Sequence, residues 1–216
     1  MVTKEAFQSR MANICGMLRC LAVHWDKAVV ILLCYCLAAG LFWGYHRHTP
    51  AREMAIRHHL AQTAQSFLGC READESHIPI LERYNGQDPL PRGYAVTPTD
   101  SWCAVFGTVA AMEAGLEHLV PPECSCGRQV DLFRERKQWV EADWYLPRTG
   151  DYIFYDWDNT SRRDSGGWPD HVGIVVQTFG PVIKVIEGNK DDMVTYRYVF
   201  LGDPWIRGFG TPDFSQ

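Results

Sequence analysis

Two apolar, β-branched runs meet at Phe179-Gly180-Pro181, and this junction restricts the fold more than any other stretch of the chain. His171-Val172-Gly173-Ile174-Val175-Val176 precedes it and Val182-Ile183-Lys184-Val185-Ile186-Glu187 follows it. Both runs favour strands, and the Gly-Pro pair breaks them, so an antiparallel hairpin is expected. Paired residue numbers in such a hairpin add to a constant set by the turn. A turn centred on Gly180 gives 360, which places His171 opposite Asn189 with Glu187 diagonal to it; a sum of 358 places His171 opposite Glu187 instead. Either even sum leaves the three polar side chains on one face, and an odd sum separates them. Gly173 shares that face and is expected to leave room for a helix to approach.

Upstream, Pro98-Thr99-Asp100-Ser101-Trp102-Cys103-Ala104-Val105-Phe106 reads as a helix start. Asp100 is the expected N-cap, and Trp102, Val105, Phe106, Val109 and Ala110 recur at helical spacing up to Gly115. Cys103 then falls in the first turn, where unpaired N–H groups and the positive end of the helix dipole stabilise a thiolate. A small buried cysteine is the plain alternative. A base within reach distinguishes the two, and His171 is the candidate. With Glu187 and Asn189 to orient it, the set follows the logic of a catalytic triad with cysteine as nucleophile. The backbone N–H of Cys103 is the natural oxyanion donor.

Four segments carry a family likeness. Trp102-Cys103-Ala104, Gly150-Asp151-Tyr152-Ile153-Phe154, Pro169-Asp170-His171-Val172-Gly173-Ile174-Val175 and Glu187-Gly188-Asn189 together resemble the CHAP domain. These are the cysteine- and histidine-dependent amidohydrolases/peptidases, relatives of the NlpC-type and papain-like folds. The resemblance covers roughly Leu60 to Phe214. It implies Cys103 as nucleophile, His171 as base, and Glu187 and Asn189 as groups that orient or polarise the imidazole. It also implies an endolysin-like amidase or endopeptidase acting on peptidoglycan, with no cofactor. Trp102, Tyr94, Asp156, Trp168 and Asp170 flank these motifs and are the expected substrate contacts. A cysteine protease or acyltransferase with a non-wall substrate would share every one of these residues. A non-catalytic wall-binding module on the same fold is the third reading.

The expected fold is α+β: papain-like, N-terminal helices packed on an antiparallel sheet, preceded by one transmembrane helix. Residues 1–27 form an N-terminal arm with an apolar stripe from Met11 to Trp25. Ala28 to Tyr45 is an uncharged run of 18 residues, which as a helix spans about 27 Å, enough for a bilayer core. Trp25, Trp43 and Tyr45 fit its interfacial belts. A retained signal anchor with the catalytic domain outside the cytoplasm is expected, although three basic residues flank the run on each side. Residues 46–58 are linker and helix start, and 59–216 the catalytic domain.

Within that domain, helices are expected over Ala51–Leu68 (Met54, Ile56, Leu60, Ala64, Phe67 and Leu68 inward), Ser76–Tyr84 and Val130–Val140. Strands are expected at 151–156, 171–178, 182–187, 193–200 and 206–210. The turn-rich stretch Asn85–Tyr94 is a candidate wall of a substrate groove.

Residues 51–216 carry 16 Lys and Arg against 24 Asp and Glu, which disfavours sequence-independent nucleic-acid binding. Of the eight cysteines, Cys34 and Cys36 lie in the apolar run and Cys103 must stay reduced to act. Cys124 and Cys126 lack a second Cys/His pair at zinc-finger spacing and are expected to be structural. The Asp156–Asp164 loop alternates oxygen ligands, but two arginines intrude and no glutamate closes it, so no metal is expected.

Overall fold

The computed structural model describes Val29 and residues 51–141, 145–157 and 167–215. The apolar run 28–45 therefore lies outside the described residues, Val29 apart. Among the described residues no helix is long and apolar enough to cross a membrane. Residues 51–216 form one compact unit. Among the described residues it is α+β: four α-helices precede and flank a six-stranded antiparallel sheet.

The helices are α1 (Ala51–Ser66), α2 (Ile78–Asn85), α3 (Cys103–Glu113) and α4 (Cys126–Glu135). The strands are β1 (Trp139–Glu141), β2 (Tyr152–Tyr155), β3 (His171–Phe179), β4 (Val182–Lys190), β5 (Met193–Phe200) and β6 (Ile206–Gly210), in the order β1-β6-β2-β3-β4-β5. The inward face of α1 differs from the expected one. Met54 and Leu68 are exposed, and Arg57 and Glu53 are buried beside Leu60 and Ala64. Arg57 reaches Asp151 at 2.7 Å, and Asp151 also accepts from the Tyr145 hydroxyl and the Arg148 N–H, so the buried charge is fully engaged. The helix expected over Val130–Val140 starts earlier and stops sooner. Ser125 caps its start, and Lys137 at φ 58° ends it, which frees Trp139–Glu141 to pair with β6.

One sheet face packs against the helices through Tyr152, Phe154, Val172, Ile174, Ile186 and Val194, which join Phe106, Val109 and Phe133 in the main core. The other face buries Ile153, Tyr155, Val175, Ile183, Val185 and Phe209, with Tyr145 and Trp157 packed on them. The registry of the β3–β4 hairpin decides which side His171 takes. Gly180 supplies the positive φ (57°) of a two-residue turn. Phe179 pairs Val182 and Gln177 pairs Lys184, an odd sum of 361. A bulge then inserts Val176, and beyond it Val175 pairs Val185 and Ile174 pairs Ile186, a sum of 360. The even sum at the site thus comes from the bulge, not from the turn.

Gly173 does not admit the helix. A Cβ there would meet Val185 Cγ1 at 2.5 Å and Glu187 Cγ at 2.7 Å, so its missing side chain makes room for Glu187. Helix α3 packs on the opposite face, and Gly188 admits it: a Cβ on Gly188 would lie 2.4 Å from Phe106 Cβ. On the helix side, Gly107 accommodates the Tyr152 ring, whose hydroxyl donates to the Gly107 carbonyl at 2.7 Å.

Candidate active site

Cys103 is the first residue of α3, and the residue at the cap position is Trp102, not Asp100. Asp100 instead closes the turn before the helix, accepting from the Thr97 N–H at 2.7 Å and the Tyr94 hydroxyl at 3.0 Å. The first-turn N–H groups of α3 are therefore left without a side-chain cap. His171 opens β3 and points to the face away from α3, but at the strand end its ring reaches around to the thiol. The Cys103 sulfur and the His171 ring each favour the charged form of the other, and the Val172 backbone N–H also favours the thiolate.

Glu187 holds the other side of the ring. Its Oε2 lies 3.1 Å from His171 Nε2. Nε2–H donates to the carboxylate, which leaves Nδ1 for the thiol. Glu187 is itself fully buried and accepts from Arg197 Nε at 2.8 and 2.9 Å. Arg197 stands opposite Val185 on β5, diagonal to Glu187 on the same face, and its guanidinium packs over the Trp157 ring at 4.9 Å. Tyr155, opposite His171 on β2, stacks on Trp157 and turns its buried hydroxyl toward Glu187. Burial first, and then the Glu187 charge, keep that hydroxyl protonated, without a well-formed hydrogen bond between them.

The second thiol is the unexpected member. Cys126 Sγ lies 3.4 Å from Cys103 Sγ, and both residues are buried. The Cys103 pKa falls well below its ordinary 9.0, chiefly through the hydrogen bond from Cys126, and then through the hydrogen bond and charge of His171, against the opposing effect of burial. Cys126 moves the other way, first because it donates to Cys103 and then because it is buried. For His171 burial lowers the pKa, but hydrogen bonds to Cys103 and Glu187 outweigh it and push the value up to about 9. A thiolate–imidazolium pair is the state this environment favours near neutral pH.

The remaining expected residues divide. Asn189 adopts φ 55° where the β4–β5 register shifts, and among the described residues it makes no hydrogen bond to the imidazole. Trp102 is fully buried, donating from Nε1 to Glu72 Oε1 at 2.9 Å and packing 5.6 Å from the His77 ring, so it is a core residue rather than a substrate contact. Tyr94 is half-exposed and lines a pocket of about 390 Å³ with Arg92, Asp100, Ser101 and Ser125. Cys124 also lines this pocket, whereas Cys103, Cys126 and His171 do not. Asp170 Oδ2 accepts from the Trp157 N–H at 2.8 Å and fixes the entry to β3. Asp156 is buried, its carboxylate lying against Gly167. Trp168 is 67% exposed, its ring over Gly127 next to Cys126. Most of the Asp156–Asp164 loop lies outside the described residues. Among the described residues no cluster of His, Cys, Asp and Glu is arranged to hold a metal.

Comparison with known proteins adds little. No family model and no curated protein matches the sequence. Among solved structures, the crystal structure of Ly7917 with the hydrolyzing product of MDP is similar at 12% identity and a TM-score of 0.41, over 73% of this chain and 62% of that one. The crystal structure of Ly7917 is similar at 14% identity and a TM-score of 0.34, over 52% of this chain and 54% of that one. This chain thus spans less than two thirds of either. At such scores the likeness assigns neither substrate nor reaction.

Sequence reasoning missed Arg197 and Cys126. Arg197 carried one signal, an arginine on a strand adjacent to that of Glu187. Cys126 carried a weaker one, a cysteine directly after a serine able to cap a helix.

Proposed function

We propose that this protein is a CHAP-type cysteine hydrolase that cleaves an amide bond in peptidoglycan, with Cys103 as nucleophile, His171 as acid and base, and Glu187 as the group that orients His171. The observation that carries the chemistry is the thiol of Cys103 at an uncapped helix start, set against a buried imidazole that is itself held by a buried carboxylate. The wall substrate rests on the resemblance of the four sequence motifs.

In this reading the thiolate adds to the amide carbonyl, and the tetrahedral oxyanion is received by the Cys103 backbone N–H. The imidazolium of His171 gives its proton to the departing amine, leaving an acyl-enzyme. Water then attacks as His171 takes its proton, and the released acid regenerates the thiolate. Glu187 steadies the imidazolium through both halves, and Arg197 fixes Glu187.

The test is incubation of the purified full-length chain with purified peptidoglycan, following new amino groups and the masses of released fragments. Release is expected from the native protein and not from Cys103→Ala. Release that survives Cys103→Ala would overturn the nucleophile. Cys103-dependent cleavage of protein substrates, with walls left intact, would overturn the substrate and favour a protease.

A further inference from the structure

We propose that Cys103 and Cys126 form a peroxide-responsive dithiol, in which oxidation of the nucleophile is captured as a disulfide between the two. The proposal rests on Cys103 being the nucleophile described above. In that chemistry Cys126 serves only as a hydrogen-bond donor to the thiolate, and its sulfur makes and breaks no bond. Yet Cys126 Sγ stands 3.4 Å from Cys103 Sγ, while Cys70 and Cys124 have no such partner. Each residue of the pair is the first of its helix, α3 and α4, where backbone geometry yields more easily than in a helix interior. Closing to a bonded distance of about 2 Å asks for a shift of just over an ångström. Cys103 is 4% and Cys126 8% exposed, so the pair meets solvent only through a narrow opening, which a molecule as small as hydrogen peroxide can use.

The chemistry balances with hydrogen peroxide as oxidant. The Cys103 thiolate attacks one peroxide oxygen, the O–O bond breaks, hydroxide leaves, and Cys103 becomes a sulfenic acid. Cys126 sulfur then attacks the Cys103 sulfur. The S–S bond forms, the S–O bond breaks, and the hydroxyl departs as water with the Cys126 proton. The nucleophile's electron pair is then tied up, and a dithiol reductant returns both thiols. Without Cys126 the sulfenic acid has no neighbour and proceeds to the irreversible sulfinic acid.

Full-length protein is treated with graded hydrogen peroxide, digested without reduction and mapped by mass. The expected product is a peptide pair linked Cys103–Cys126, lighter by two hydrogens and separated by dithiothreitol. Activity, where the protein has one, should disappear with the link and return with the reductant. Cys126→Ser, nearly isosteric, and Cys126→Ala should each lose most of that recovery and accumulate Cys103 sulfinic acid. Peroxide oxidation of Cys103 with no link to Cys126, or recovery in both variants as complete as in the native protein, overturns the proposal. The mapping needs no substrate. A link formed in a protein inactive on walls would thus sink the wall reading alone, and wall cleavage without a link would sink the dithiol alone.

Discussion

Replacing Glu187 by glutamine removes one charge from the site and almost no volume, so its effect isolates what the carboxylate does to His171. In the native protein both Glu187 oxygens are occupied, by His171 Nε2 at 3.1 Å and by Arg197 Nε at 2.8 and 2.9 Å. An amide has one acceptor oxygen and cannot serve both N–H donors in that way. A hydrogen bond to a charged group contributes about 1.5–3 kcal/mol, and one pH unit corresponds to about 1.4 kcal/mol. The His171 pKa, held up at about 9, should therefore fall by roughly one to two pH units. Because Arg197 already draws on the same carboxylate, the lower half of that range is expected. The sign follows from linkage. His171 is raised in the fold, so its contribution to stability is complete below its ordinary 6.5 and is lost as the pH rises through about 9. The variant loses that contribution at a lower pH. The assay is the pH dependence of Cys103 alkylation by iodoacetate, an anionic reagent favoured while His171 is an imidazolium, with iodoacetamide as the neutral comparison. The alkaline limb for iodoacetate should lie near 9 in the native protein and about one unit lower in Glu187→Gln. Asn189→Ala, which removes no bond to the ring, should leave the limb in place. A limb that stays near 9 in Glu187→Gln, or moves equally in Asn189→Ala, refutes the assignment of Glu187.

Two predictions concern the frame around the site. Gly188→Ala would set a Cβ 2.4 Å from Phe106 Cβ, so α3 must retreat, with a cost of about 1–3 kcal/mol and slower Cys103 alkylation; an unchanged melting temperature would contradict the packing. Arg57→Met strands the buried Asp151 carboxylate and should cost about 3–5 kcal/mol in denaturant unfolding while the alkylation profile of the folded protein stays native. A loss below about 1 kcal/mol would show that Asp151 is served by Tyr145 and Arg148 alone.

Much of the fold was legible because it depends on local patterns. The apolar run from Val105 to Ala111 and the alternation in β3 to β5 are strong period signals, and each appears as the expected element. Boundaries failed where a tertiary partner decides them. Trp139–Val140 extends a helical pattern in sequence, yet Trp139 pairs Gly210 and packs 5.5 Å from Phe154, contacts made across a long loop. The face of α1 failed for a related reason. Arg57 is buried only because Asp151, far along the chain, reaches it, and no hydropathy pattern in α1 records that.

At the site the sequence named Cys103, His171 and Glu187, and the structure brings them together, but by a different route. The turn by itself sets an odd sum, which would place Glu187 opposite Ile174 and turn His171 to the face of Gly188, apart from its carboxylate. The extra residue Val176 reverses the parity between the turn and the site. Nothing in Val175-Val176-Gln177 marks a bulge, since all three residues suit a regular strand. The bulge also explains why Gly173 and Gly188 have exchanged their expected tasks. With His171 and Glu187 on the face away from α3, the glycine beside Glu187 makes room for its carboxylate, and the glycine on the other face makes room for the helix. The thiol then meets the imidazole at the end of the sheet, where a ring on one face can reach a helix start on the other. That edge is also where the start of α4 arrives, and so where a second cysteine comes to lie against the first.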